Sequence, residues 1–162
     1  MKLLRTVRFD ASDEHVYARA AVAGEWAVSG LFAFQADDGE PFTGKLRQAF
    51  ANGFLGLASF GRSTFAVVTE ITGEERVALG EALARHLVEA YGAPDIAAAM
   101  PVAEDELAFV SDLCQEAAIN TVFTVRRTHD EARAITEEFR TILPPSAEPR
   151  HARIWTVEAD DT

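Results

Sequence analysis

The chain carries one cysteine, Cys114, in 162 residues, which excludes an intrachain disulfide and any metal site built from several thiolates. Lysine is scarce as well. Thirteen of the fifteen basic residues are arginine, and they are scattered rather than gathered into a stripe. Set against 26 acidic residues they leave a net charge of −11. That balance argues against nucleic-acid binding, where neutralisation of phosphates supplies most of the affinity. No apolar run approaches the roughly 20 residues that cross a bilayer, so no membrane partner is expected. Met1 to Phe9 has neither the apolar segment nor the small-residue cleavage site of a secretory signal, and the expected compartment is the cytoplasm. Internal repeats, low-complexity tracts and linkers are also missing. Residues 1–162 therefore read as one domain with an acidic tail, 158–162, expected to fray.

What is present suits a packed core. Hydrophobic residues make up 48% of the chain and charged residues 25%, which is globular rather than disordered. The most self-consistent stretch is Thr64 to Gly92. Thr64–Ile71 is rich in β-branched and small apolar residues and reads as a central strand. Thr72 and Glu75 then have the capping-box spacing, in which each side chain satisfies an orphaned backbone donor. Leu79, Gly80, Leu83, Ala84, Leu87, Val88 and Tyr91 recur at helical steps, and Gly92 followed by Pro94 ends the helix. Gly80 on the packing face suggests close approach to the sheet.

On the N-terminal side, Leu3–Phe9 reads as a strand with Arg5 awkwardly on its apolar face, and Ser12 as the cap of a short turn. Glu25–Phe34 reads as a strand interrupted at Gly30. After an acidic loop, 35–41, Thr43 is expected to cap a helix with Leu46, Ala49 and Phe50 inside, ended by Asn52-Gly53. Phe54–Ser63 reads as a glycine-punctuated loop.

On the C-terminal side, Asp95 is expected to cap a brief helix through Met100. Pro101 then opens a second one carrying Leu107, Val110 and Cys114, with Glu104, Asp105 and Glu106 in its first turn. Asn120–Arg127 reads as a strand. Thr128 and Glu131 repeat the capping-box spacing before Ala132, Ile135, Phe139 and Ile142, which predicts a helix ended by Pro144-Pro145. His151–Val157 is a last strand. The expected fold is α+β, a two-layer sandwich with one mixed five-stranded sheet and helices mainly on one face.

The segments Leu3–Asp10, Gly24–Gly30, Ala49–Gly56 and His151–Trp155 together resemble an uncharacterised family of small proteobacterial cytoplasmic proteins. The resemblance covers nearly the whole chain and implies no activity, fold or catalytic residues.

The residues able to carry chemistry each have a plainer reading. Gly56–Ser63 matches phosphate-loop spacing with Arg62 in place of lysine, yet a strand rather than a helix is expected after it, so a plain loop is favoured. Ser59 lacks the first glycine of a nucleophile elbow. Cys114 falls on an apolar helix side, where thiols are inert. His15, His86, His129 and His151 show no metal-ligand spacing, so no metal and no cofactor is expected, and His86 is expected to be solvated. Arg62, Ser63, Arg126, Arg127, His129 and His151 lie near strand ends. If those ends converge they form a clamp for a small anion or carboxylate, and otherwise they pair with the chain's own carboxylates. Trp26 and Trp155, with eleven phenylalanines, exceed the needs of three helical stripes and suggest an interface.

The favoured expectation is a non-catalytic cytosolic protein acting through homodimerisation or a protein partner. The alternative is a small-anion or carboxylate-binding enzyme that uses the arginine, histidine and serine cluster.

Overall fold

The structure, a computed structural model, describes residues 1–34, 42–132 and 134–142, and the main chain alone of 154–158. Among the described residues eight strands occur in chain order, β1 Lys2–Val7, β2 Trp26–Val28, β3 Phe54–Gly56, β4 Arg62–Ser63, β5 Phe65–Glu70, β6 Val122–His129, β7 Ile135–Ile142 and β8 Ile154–Glu158. They form one sheet in the order β4-β3-β2-β1-β5-β6-β7-β8, and every strand pair is antiparallel. The expected five-stranded mixed sheet is thus replaced by eight antiparallel strands. The three additions are β3, β4 and β7.

β3 and β4 lie in the expected loop, where Phe54 faces Ser63 and Leu55 faces Arg62. β7 replaces a predicted helix. Ile135, Phe139 and Ile142 have helical spacing, but the chain alternates instead, burying Glu137, Phe139 and Thr141 while Arg140 is exposed. A charged residue at an inward position hid the period of two. The Thr128/Glu131 spacing is correspondingly no capping box. Asp130 makes the turn, its N–H donating to the Ala134 carbonyl at 3.0 Å and its carboxylate accepting from Ala134 N–H at 2.9 Å.

The central unit follows its sequence closely. Helix α3, Gly73–Tyr91, starts on a complete capping box between Thr72 and Glu75, and Gly92 closes it in the left-handed conformation at φ 75°. Helix α4, Ile96–Cys114, is continuous where two helices were expected. Asp95 caps it by accepting from Ala98 N–H at 2.8 Å. Pro101 lies inside α4, at a cost of about 3 kcal/mol, and Ala99, Ala103, Leu107, Val110 and Cys114 compensate as a fully buried stripe. Glu104, Asp105 and Glu106 therefore sit mid-helix rather than at an N-terminus. A Cβ on Gly80 would fall 2.6 Å from Glu104 Oε1 and 3.7 Å from Leu107 Cδ1, so its close approach is to α4 and not to the sheet.

Two shorter helices complete the described chain. In α1, Ser12–Val16, the cap position belongs to Ala11 rather than Ser12. In α2, Gly44–Asn52, Phe50 is buried but Leu46 is 54% exposed, so the inner stripe is narrower than expected. The expected strand through Phe34 stops at Val28, and Leu31–Phe34 is a 3₁₀ turn. Gly30 makes the break at φ 77°, since a Cβ there would lie 2.5 Å from Leu55 Cβ. Arg5 finds its partners in Glu75 at 3.9 Å, the Gly24 carbonyl at 3.2 Å and the face of Trp26 at 3.9 Å. The expected loop 35–41, the Pro144-Pro145 stop, and the end of the tail fall outside the described residues.

Candidate functional site

α2 lies against β6, and one arginine fastens them together. Arg127 is 2% exposed, and its Nη1 donates to the carbonyls of Phe50 at 2.8 Å and Gly53 at 3.0 Å, where α2 ends. A guanidinium at that position satisfies orphaned carbonyls and meets the negative end of the helix dipole. Its Nε donates to Glu137 Oε2 at 2.8 Å across the β6–β7 ribbon, and its Nη2 donates to the Ser29 carbonyl. Ser29 Oγ donates to the same Glu137 oxygen. Asn52 adds a second tie, its side-chain amide donating to the Val125 carbonyl at 3.4 Å.

This fastening leaves a cleft of about 670 Å³ between α2 and the outer end of β6. α2 supplies Arg47, Gln48 and Asn52 to its lining, and β6 supplies Arg126, Thr128 and His129, of which His129 shares the sheet face of Arg127 while Arg126 and Thr128 alternate to the other. Phe42 and Phe50 supply apolar surface. The Phe50 and His129 rings are stacked, 4.5 Å apart and 5° from parallel, with Phe42 at 5.1 Å from Phe50. No carboxylate lines the cleft among the described residues. Arg47 and Arg126 have no ion-pair partner among them. Glu138, directly across from Arg126, is bridged to Arg140 at 3.6 Å instead.

Three of the six expected clamp residues, Arg126, Arg127 and His129, thus meet on one cleft. Arg127 contributes structure rather than an accessible charge. Arg62 does not belong to the cleft. It is buried, donating to the carbonyls of Gly53 at 3.2 Å and Gly30 at 3.4 Å, with its guanidinium 4.6 Å from the Phe34 ring. Burial, with Arg127 nearby, lowers its pKa to about 10. Ser63 is also spent internally, its hydroxyl donating to the Phe65 carbonyl at 2.7 Å. Glu106, held near these arginines, accepts from Gly30 N–H at 3.0 Å, and burial raises its pKa. His151 lies outside the described residues.

The phosphate-loop spacing has a different use. Its amides do face an anion, but the anion is the protein's own. The Glu25 carboxylate accepts from Ala58 N–H at 2.8 Å, Ser59 N–H at 2.9 Å, Ser59 Oγ at 2.7 Å and Val22 N–H at 2.7 Å. Cys114 is completely buried, and burial pushes its thiol up to about 12, which removes it as a nucleophile. His86 is half-buried rather than solvated, stacked on Phe60 at 3.5 Å, and burial lowers its pKa. Trp26 lies beneath Arg5, and the side chain of Trp155 is outside the described residues.

The lining residues missed from sequence are Arg47, Asn52 and the rings of Phe42 and Phe50. Nothing in α2 marks them, because their convergence with β6 depends on Arg127 reaching back to Gly53. The legible signal lay in β6 and β7, where alternation around the Asp130 turn pairs Arg127 with Glu137.

Among the described residues no helix is long and apolar enough to cross a membrane, and no group of histidine, cysteine or acidic side chains is placed to hold a metal. No curated protein and no solved structure matches the chain. A family does match, over residues 1–159, and the chain belongs to it: a family of unknown function, DUF6505.

Proposed function

We propose that this is a non-catalytic, bacterial cytosolic binding protein that takes an anionic ligand in the Arg47–Arg126–His129 cleft and acts through a protein partner or a second copy of itself. One observation carries the reading. In a chain of net charge −11, the lining of this cleft includes Arg47, Arg126 and His129 and no carboxylate among the described residues. Exposed arginines in so acidic a protein ordinarily pair with its own carboxylates, and a surface that avoids doing so is suited to an outside anion. Its volume is within the usual small-ligand range of roughly 300–1,000 Å³.

The clamp enzyme built on Arg62 and Ser63 is less well supported, since both are committed to backbone carbonyls. The fold on which this reading rests keeps its helices mainly on one face of the sheet, with Arg127 joining the α2 end to that face.

Amide chemical-shift mapping tests the binding reading directly. Titration with citrate is expected to shift Arg47, Asn52, Arg126 and His129 together, and Arg47→Ala with Arg126→Ala is expected to abolish the shifts. Shifts spread over the surface, or unchanged in the double variant, would count against the cleft. Sedimentation over a wide concentration range tests the association. A strict monomer, with no partner recovered by cross-linking in cells, would remove that part of the reading.

A further inference from the structure

Asn52 is followed by Gly53, whereas the chain's other asparagine, Asn120, is followed by Thr121. Glycine has no side chain to hinder an attack by its own nitrogen, and a β-branched residue does hinder one. We infer that Asn52 is a self-modification site, which loses its side-chain amide as ammonia when α2 leaves β6 and is protected while α2 is docked. The consequence for binding rests on the cleft reading above, and the chemistry does not. In the reaction the Gly53 nitrogen attacks the side-chain carbonyl carbon of Asn52 and gives up its proton. A carbon–nitrogen bond forms, the amide nitrogen leaves as ammonia, and a cyclic succinimide remains. Water then opens the ring at either carbonyl, to aspartate or to isoaspartate. One water is taken up and one ammonia released, with no oxidant or cofactor.

Docking opposes each part of that attack. Asn52 is the last residue of α2, and a helical backbone turns the next nitrogen away from the side-chain carbonyl. The Gly53 N–H is engaged, donating to the Ala49 carbonyl at 3.0 Å. The Asn52 amide is engaged as well, donating to the Val125 carbonyl at 3.4 Å. The Gly53 carbonyl accepts from Arg127 at 3.0 Å and from Arg62 at 3.2 Å, so the residue that must swing is held by two guanidiniums. The glycine that makes Asn52 reactive is also the one that the junction needs. A Cβ there would fall 2.9 Å from the Ala49 carbonyl oxygen and 3.0 Å from Arg62 Cβ.

The product does not redock as the asparagine does. Aspartate offers the Val125 carbonyl an acceptor in place of a donor. Isoaspartate lengthens the main chain just ahead of the Gly53 carbonyl that both arginines hold. Either one places a carboxylate in a cleft whose described lining has none. A molecule whose α2 has stayed open is thus permanently marked, and its cleft no longer suits an anion.

Peptide mass mapping of the full chain, aged at neutral pH in native buffer and in urea, reads the exchange of ammonia for water at each asparagine. In urea, Asn52 is expected to convert about tenfold or more faster than Asn120. In native buffer it is expected to convert about tenfold or more slowly than in urea, since only the open fraction reacts. Arg127→Met is expected to bring the native rate close to that in urea, and urea unfolding verifies that the variant is folded. Wild type aged in urea below its unfolding midpoint checks the same dependence without a mutation, and its rate is expected to climb before the global transition. Conversion as fast in native buffer as in urea overturns the protection by docking. An unchanged rate in folded Arg127→Met, or a rate that climbs only with global unfolding, overturns the α2 docking as its gate. Asn120 converting before Asn52 overturns the site. Asn52→Asp is expected to lose the citrate shifts of the cleft, and shifts that persist overturn the consequence for binding. If wild type shows no citrate shifts either, the cleft reading falls with that consequence, and the mass mapping alone decides the chemistry.

Discussion

Arg127 and Glu137 face each other across β6 and β7, joined at 2.8 Å and both almost completely buried. The guanidinium also serves the carbonyls of Ser29, Phe50 and Gly53, so the ion pair is the centre of a saturated network. Replacing Arg127 by Met would leave a buried carboxylate without its cation, at a cost of about 3–5 kcal/mol. Urea unfolding should show this loss for Arg127→Met. The double variant Arg127→Met with Glu137→Met should recover part of it, since no uncompensated charge remains. A double variant as unstable as the sum of the two singles would contradict the coupling.

Gly30 and Gly92 both have positive φ, 77° and 75°, but only Gly30 is enclosed. An added Cβ at Gly30 would lie 2.5 Å from Leu55 Cβ and 2.6 Å from Arg62 Nη1, whereas at Gly92 nothing lies within 4 Å. Gly92→Ala should therefore cost only the conformational term, about 1 kcal/mol. Gly30→Ala should add the overpacking penalty, for a total of about 2–4 kcal/mol. Comparison of the two unfolding midpoints tests the difference, and equal losses would refute the enclosure of Gly30.

The capping box at the start of α3 is complete, with Glu75 N–H donating to Thr72 Oγ1 and Thr72 N–H to Glu75 Oε1, both at 3.1 Å. Thr72→Ala should lower stability by about 1 kcal/mol. Hydrogen exchange should quicken at Gly73–Arg76 while Leu83 and Ala84 stay protected. Uniform quickening through α3 would mean that the cap governs more than its first turn.

Alkaline stability follows from two buried acids. Burial raises Tyr17 from 10.0 to about 12 and Cys114 from 9.0 to about 12. Both are neutral in the folded protein at ordinary pH, so their contribution is intact below pH 9. It falls once the unfolded chain ionises first, from pH 9 for the thiol and pH 10 for the phenol, and is lost as pH rises through about 12. Urea midpoints between pH 8 and 11 should decline, and Cys114→Ala should decline less steeply. In the native state the thiol should react with a disulfide reagent only as fast as the protein opens.

These features differ in how far the sequence announces them. α3 does so most completely, because its cap, its stripe through Leu87 and its terminating glycine are local and agree with one another, although Tyr91 is 44% exposed and Gly80 meets α4. β7 does not, because its inward Glu137 has meaning only opposite Arg127, ten residues earlier in the chain. The phosphate-loop spacing reads as a plain loop from sequence, because its occupant Glu25 is supplied from 33 and 34 residues away. In the cleft, Arg126 and His129 are marked by their place at a strand end. Arg47 and Asn52 are not, since only the docking of α2 brings them there. What escaped was in each case a pairing between distant segments.

The reach of Arg127 also orders events in time. The α2 carbonyls that it caps lie 74 to 78 residues earlier in the chain, and Ser29 lies 98 residues earlier. A chain emerging from the ribosome therefore completes α2 long before the residue that latches it exists. Closing so long a loop is slow compared with forming a helix or a local hairpin. The last third of the chain is thus the latch for the first third, and a nascent or truncated chain that ends before β6 carries α2 undocked, with no cleft.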